Sequence, residues 1–277
     1  MAQPDPWRAR FDAAKHSVMY IQFAPMPGKV NEIRRIANRV RSIENVQERA
    51  LAVQSPSACV GFVHNVVGDK CHVMTTAHAL KHVYCWADPL TIEKARLFRA
   101  SVVCYHHDEA RRLAGLPVEA RRYVEAKIIA SAWAHDILVL TVRVGALRDF
   151  HVGQVCPGPH PTLPVAPSMP RAAIRCMLVA WPAVNGPPRD AMGWTSCPRG
   201  VEMMSTNDLG YRMILVEVDV DSVAGMSGAP LVDADGMVVR MLHGGFGGTH
   251  SYFVASPHLY QWVRQTRART RRVVVVQ

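Results

Sequence analysis

The spacing of hydrophobic positions changes several times along the chain. Residues 1 to about 25 carry several prolines and no clear period, so they read as an arm or linker. From Asn31 to Leu51 the residues Ile33, Ile36, Ala37, Val40, Ile43 and Val46 recur at helical spacing. Arg34, Arg35, Arg39 and Arg41 lie between them, which predicts one amphipathic basic helix. After Ser55-Pro56 the pattern becomes that of short strands. Ala58 to His64 and Cys71 to Thr76 flank the turn Gly68-Asp69, a hairpin signal. Val83 to Trp86, Ala100 to Tyr105, Lys127 to Ala130 and Ile137 to Val144 add further strands, while His106 to Glu125 reads as a helical insertion.

A Pro- and Gly-dense stretch, Val155 to Pro170, has no period of its own and marks a boundary. Beyond it, Ile174 to Trp181, Val201 to Ser205, Met213 to Val220, Pro230 to Val232, Met237 to Leu242 and Tyr252 to Ala255 are strand candidates. Ser256-Pro257 opens a helix, with Leu259, Trp262 and Val263 on one face. The expected fold is all-β, with two antiparallel six-stranded β-barrels, a C-terminal helix and an N-terminal helical extension. The expected divisions are an arm and basic helix (1–54), a first lobe (55–154), a linker (155–170) and a second lobe with a basic tail (171–277).

Composition narrows the class. Of 277 residues, 49% are hydrophobic and 19% charged, which excludes a disordered chain. Lys and Arg outnumber Asp and Glu by 32 to 22, a balance that suits an anionic partner such as RNA. The basic helix and Arg264, Arg267, Arg269, Arg271 and Arg272 would carry that contact, although a solvated face is the simpler reading of both. The seven cysteines (59, 71, 85, 104, 156, 176 and 197) show no Cys-x-x-Cys pair. With no apolar leader or membrane-length apolar run, they point to free thiols and a cytoplasmic protein.

The chemistry gathers at Asp221-Ser-Val-Ala-Gly225-Met226-Ser227-Gly228-Ala229-Pro230, which lies between two apolar runs. A serine hydroxyl is a weak nucleophile unless a base takes its proton and N–H groups stabilise the oxyanion. Glycines at 225 and 228 let the backbone aim two such groups, those of Gly225 and Ser227, at one point. A base is available in Met74-Thr75-Thr76-Ala77-His78, because imidazole titrates near neutrality. Asp136, in Ala134-His135-Asp136-Ile137-Leu138, enters an apolar strand and needs a partner there. Asp108, beside His106 and His107, is a rival acid.

These residues resemble the chymotrypsin-like serine proteases. Gly-x-Ser-Gly-x-Pro matches their nucleophile loop, Thr-Ala-His their base loop, and Asp-Ile-x-x-Leu the setting of their acid. The order His78, Asp136, Ser227 is theirs as well. Met226 departs from the acid that digestive members carry. The resemblance covers about residues 55 to 265 and implies a serine endopeptidase working through an acyl-enzyme.

Leu242-His243-Gly244-Gly245 also resembles a strand of picornain-like and sobemovirus-type viral proteases and of glutamyl endopeptidases. That likeness implies His243 and Ser222 in the S1 pocket, reading Gln or Glu in a viral polyprotein. Asp221 competes with this, because the matching aspartate of trypsin selects Arg or Lys. Cys71, His78, His82 and Cys85 have spacing that would suit zinc, but that use of His78 would disable the triad, so no metal or cofactor is expected. The alternative function is a catalytically silent protease fold that binds RNA or a viral partner through its basic face.

Overall fold

The structure, a computed structural model, describes residues 5–40, 53, 55–148, 159–169, 174–181, 189–194, 201–204, 209–245 and 250–274. The first lobe contains α1 (Pro6–Ala14), β1 (Val18–Pro25), α2 (Val30–Val40), β2 (Ser57–Val67), β3 (Lys70–Thr76), α3 (Ile92–Ala95), β4 (Phe98–Cys104), α4 (Tyr105–Leu113), β5 (Val124–Ala132), β6 (Ile137–Arg143) and α5 (Val144–Arg148). Its strands form a closed antiparallel barrel in the order β1-β2-β3-β6-β5-β4.

The arm expected over residues 1 to 25 is corrected by this barrel. Val18–Pro25 is β1, paired with β2 through Tyr20↔Val60 and with β4 through Tyr20↔Val103. The first lobe therefore begins well before residue 55. The reason lies in burial on both faces. Met19, Ile21 and Phe23 point into the barrel core, while Val18 and Tyr20 join the core shared with the second lobe. A strand buried on both sides shows no polar alternation.

α2 does what its spacing predicts, burying Ile33, Ile36, Ala37 and Val40 and leaving Arg34, Arg35 and Arg39 exposed. The expected continuation of that helix over 41–51 lies outside the described residues. Val83 to Trp86 is not a strand. It closes a short 3-10 helix, Ala77–Val83, whose Leu80 and Val83 are apolar because the turn packs on the barrel. The insertion forms α4, and Asp108 within it is fully buried against Arg111 Nε (3.0 Å) and Arg121 Nε (2.7 Å). These ion pairs hold its carboxyl below the ordinary range against the opposing effect of burial.

The second lobe contains β7 (Arg175–Ala180), β8 (Arg189–Trp194), β9 (Val201–Met204), β10 (Arg212–Val218), β11 (Pro230–Val232), β12 (Val238–Gly245), β13 (Ser251–Ala255) and α6 (Ser256–Val274). Among the described residues these strands make one seven-stranded antiparallel sheet, β8-β7-β11-β12-β13-β10-β9, in place of the expected closed six-stranded barrel. β8 was not expected; it pairs with β7 from Arg175↔Trp194 to Ala180↔Arg189. The described part of the linker, 159–169, is laced to both lobes. Leu163 N donates to Val63 O (2.8 Å), and Val238 N donates to Pro164 O (2.7 Å). No helix among the described residues is long and apolar enough to cross a membrane.

Candidate active site

The pairing of β3 with β6 fixes His78 beside Asp136. Thr76 lies opposite Ile137, so the turn leaving β3 meets the turn entering β6. Asp136 takes a left-handed conformation, φ 55° and ψ 35°, that aspartate tolerates better than most residues. Its backbone O accepts from Ala77 N (3.2 Å), and its Oδ1 accepts from His78 N (2.8 Å). His78 Nδ1 stands 2.7 Å from Oδ2, so the ring proton faces the carboxylate and Nε2 keeps its lone pair.

Oδ2 has two more partners. Thr76 Oγ1 donates to it at 2.6 Å, and His243 Nδ1 lies 2.5 Å away. Two histidines therefore share one carboxylate oxygen, their rings edge to face at 5.0 Å. Asp136 is fully buried. Burial alone would raise its pKa, but the attraction and hydrogen bonds of His78 and His243 outweigh it and hold the carboxyl far below the ordinary range. Tyr211 stands edge to face against His243 at 5.1 Å, and its hydroxyl lies 3.1 Å from that of the buried Tyr84. The sequence marks Thr76 only as part of the Thr-Ala-His motif and does not single out Tyr84 or Tyr211.

The serine loop is seated on the first lobe. Ser227 O accepts from Val60 N at 2.8 Å. Gly228 has φ 87°, and a Cβ there would lie 2.1 Å from Val60 O and 2.8 Å from Thr75 Oγ1. Only glycine fits between these strands. Gly225, at φ 88°, shapes the other side of the loop. Met226 N donates to Val223 O (3.1 Å), whereas the N–H groups of Gly225 and Ser227 on either side have no partner among the described residues. Ser227 Oγ itself donates to His243 O at 3.3 Å and makes no hydrogen bond to His78 in this arrangement.

Of the expected pocket residues, His243 directs Nδ1 to Asp136, and it lies at a register shift of β12 between Leu242 and Gly244. Asp221 is exposed and Ser222 half-buried. Ser222 Oγ lies 2.7 Å from Ser251 Oγ, which also lies 2.7 Å from Val220 O. A Cβ on Gly245 would come within 2.9 Å of Ser222 Oγ, so Gly245, Ser222 and Ser251 bound one place beside the serine loop. Residues 246–249 lie outside the described residues, as do the side chains of Arg267, Arg269, Arg271 and Arg272.

No family model and no curated protein matches the chain. Among solved structures it is similar to Deg5, with a TM-score of 0.56 and 16% identity over 92% of this chain and 91% of that one. It is similar also to the Rv3671c protease in its inactive form, with a TM-score of 0.54 and 14% identity over 96% of this chain and 98% of that one. The active form of the M. tuberculosis protein gives 0.52 and 16%, over 92% and 84%. At these identities the likeness is one of fold, a chymotrypsin-like closed barrel with a second sheet, and it carries no viral affinity.

Proposed function

We propose that the chain is a serine endopeptidase in which Ser227 attacks a peptide carbonyl, His78 takes and returns the proton, and Asp136 holds His78. The observation that carries this reading is the His78 Nδ1–Asp136 Oδ2 contact of 2.7 Å, which leaves Nε2 as the basic atom. Proton transfer requires Ser227 Oγ to leave His243 O, to which it donates at 3.3 Å, and to meet Nε2; such bonds are often loose without substrate. The unbonded N–H groups of Gly225 and Ser227 would receive the oxyanion as negative charge develops on the carbonyl oxygen. Imidazolium forming at His78 would be stabilised by a carboxylate that the site keeps ionised.

The substrate is a polypeptide. Processing of a viral polyprotein after Gln or Glu is the finer reading suggested by the His-Gly-Gly motif, and the tautomer refines it. Donation from His243 Nδ1 to Asp136 leaves a neutral Nε2 as an acceptor. Such an atom takes the amide N–H of Gln and, when protonated, pairs with Glu. Asp221 would instead favour Arg or Lys. Cys59, Cys71, Cys85, Cys104 and Cys176 are buried and form no disulfide with one another, which suits a reducing compartment such as the cytoplasm.

The test is labelling by a serine-directed fluorophosphonate together with cleavage of a peptide library, comparing wild type with Ser227→Ala. Wild type is expected to react and cleave; the variant should lose at least about 10³-fold in turnover while keeping its melting profile. If wild type neither labels nor cleaves, the silent alternative takes its place, with RNA contact through Arg34, Arg35 and Arg39. The cleavage profile separates Gln or Glu from Arg or Lys.

A further inference from the structure

Away from Ser227, four residues with metal-binding chemistry meet where three parts of the chain converge. Cys104 ends β4, His106 lies in the first turn of α4, and His160 lies in the segment joining the lobes. All three are buried, and their potential ligand atoms lie within 4.8 Å of one another. The fourth, His16, stands in the short 3-10 helix Lys15–Ser17 and stacks on His106 with ring centroids 4.4 Å apart and planes 13° from parallel.

The hydrogen bonds prepare this cluster for a ligand. His160 Nδ1 lies 3.1 Å from His16 O. A carbonyl can only accept, so Nδ1 carries the proton and Nε2 the lone pair. This is the arrangement by which metal-bound histidines are oriented. His106 Nδ1 is buried with no hydrogen-bond partner, although His106 is only 7% exposed, and His16 Nδ1 is likewise buried and without one. Leaving such nitrogens bare costs free energy that a bound group would recover. The neighbourhood is otherwise closed. Lys15 Nζ lies over the Tyr105 ring at 4.9 Å and is paired with Asp12 at 2.6 Å, and Tyr105 donates to Glu109.

We propose that Cys104, His106 and His160 form a metal site for one Zn²⁺, with solvent in the fourth position beside His16. One thiolate and two imidazoles suit a borderline ion in tetrahedral geometry. Binding releases the thiol proton of Cys104 to solvent and forms the S–Zn bond, with no change of oxidation state. The metal joins the N-terminal segment, the first barrel and the interlobe segment, where Ser17 Oγ already donates to Pro161 O at 2.6 Å. It is a staple, separate from the His78–Asp136–His243 group, which also has ligand atoms within 4.8 Å of one another but contains no sulfur.

The absence of sulfur from the second group sets the experiment. The full chain, stripped with chelator, is titrated with Zn²⁺ against a competing dye and separately with Co²⁺ followed by absorption. Wild type should bind one Zn²⁺ per chain with a rise in Tm of about 5 to 10 °C at saturating metal. Its Co²⁺ form should show a thiolate-to-metal charge-transfer band. Cys104→Ser should abolish that band, and His160→Asn should weaken Zn²⁺ binding by at least about 100-fold, beyond the loss of a supporting group. His78→Ala should leave both readouts unchanged. If Cys104→Ser fails to fold, the wild-type band and the His160→Asn titration still decide. Failure to bind Zn²⁺, a Co²⁺ form with no thiolate band, or binding lost in His78→Ala but kept in Cys104→Ser would overturn the proposal. None of these readouts depends on peptide hydrolysis.

Discussion

At Asp136 Oδ2 three side chains converge, and the role of His243 follows from which of its atoms is used there. A charge-assisted hydrogen bond of this kind contributes about 1.5 to 3 kcal/mol, or roughly 10- to 100-fold in a rate that depends on it. His243→Ala is therefore expected to lower kcat by about 10- to 100-fold through loss of the Nδ1 bond to Asp136, and to weaken the preference for Gln or Glu at P1 through loss of Nε2. Steady-state kinetics on two peptides differing only at P1 check this. A reordered P1 preference with an intact kcat would mean that His243 reads substrate without supporting Asp136, and an unchanged P1 preference would remove it from the pocket. The histidine itself was visible in the sequence beside two glycines. Its partner was not, because Asp136 is more than a hundred positions away and meets it only across the lobes.

Strand β1 shows the same limit at the scale of an element. Its residues Val18 to Ala24 are rich in apolar side chains, yet both faces are covered and the neighbouring prolines made the segment read as an arm. Val18, Met19, Tyr20, Ile21 and Phe23 are each at most 5% exposed. At about 1.5 to 3 kcal/mol for each large apolar side chain, their burial matches the whole stability of an ordinary domain. A chain starting at residue 26 is therefore expected to lose cooperative thermal unfolding, whereas one starting at Asp5 should keep it. Circular dichroism melts of the two truncations test this; a cooperative melt from the shorter chain would show that the barrel closes without β1. By contrast, α2 and the β2–β3 hairpin were legible because one solvent-facing side or one tight turn left its mark on the local pattern.

Across the whole molecule, acid should act through buried histidines before it acts on Asp136. His82, in the turn that carries His78, and His258, in the first turn of α6, are both pushed down to about 4, chiefly by burial. His258 Nε2 accepts from Ile214 N at 2.9 Å, and its ring stacks on His135 at 4.6 Å, next to the acid. In the unfolded chain these rings titrate near 6.5. Between that value and about 4 the unfolded state binds more protons, so stability falls as pH falls through this window. His72 and His135 are shifted in the same direction, so roughly two or more protons should be taken up on unfolding near pH 5. Asp136, held far below the usual carboxylate range, adds its loss only below about pH 4. Urea unfolding at several pH values gives the proton uptake directly. A stability that stays flat from neutral pH to about 4.5 would contradict the burial of these rings.

By itself the sequence determined the β class, the serine loop with its two glycines, and the order of the candidate residues His78, Asp136 and Ser227. Those features are written in residues close together in the chain, as turn chemistry, strand runs and capping. Tertiary structure alone decided that β1 closes the first barrel and that the second lobe is a seven-stranded sheet among the described residues. It also decided that His243 faces the acid, and that Cys104, His106 and His160 meet. Each of these depends on the register between distant strands and on how the lobes dock. A shift of one residue in β12 turns His243 to another face, and no local pattern of apolar and polar residues encodes that shift.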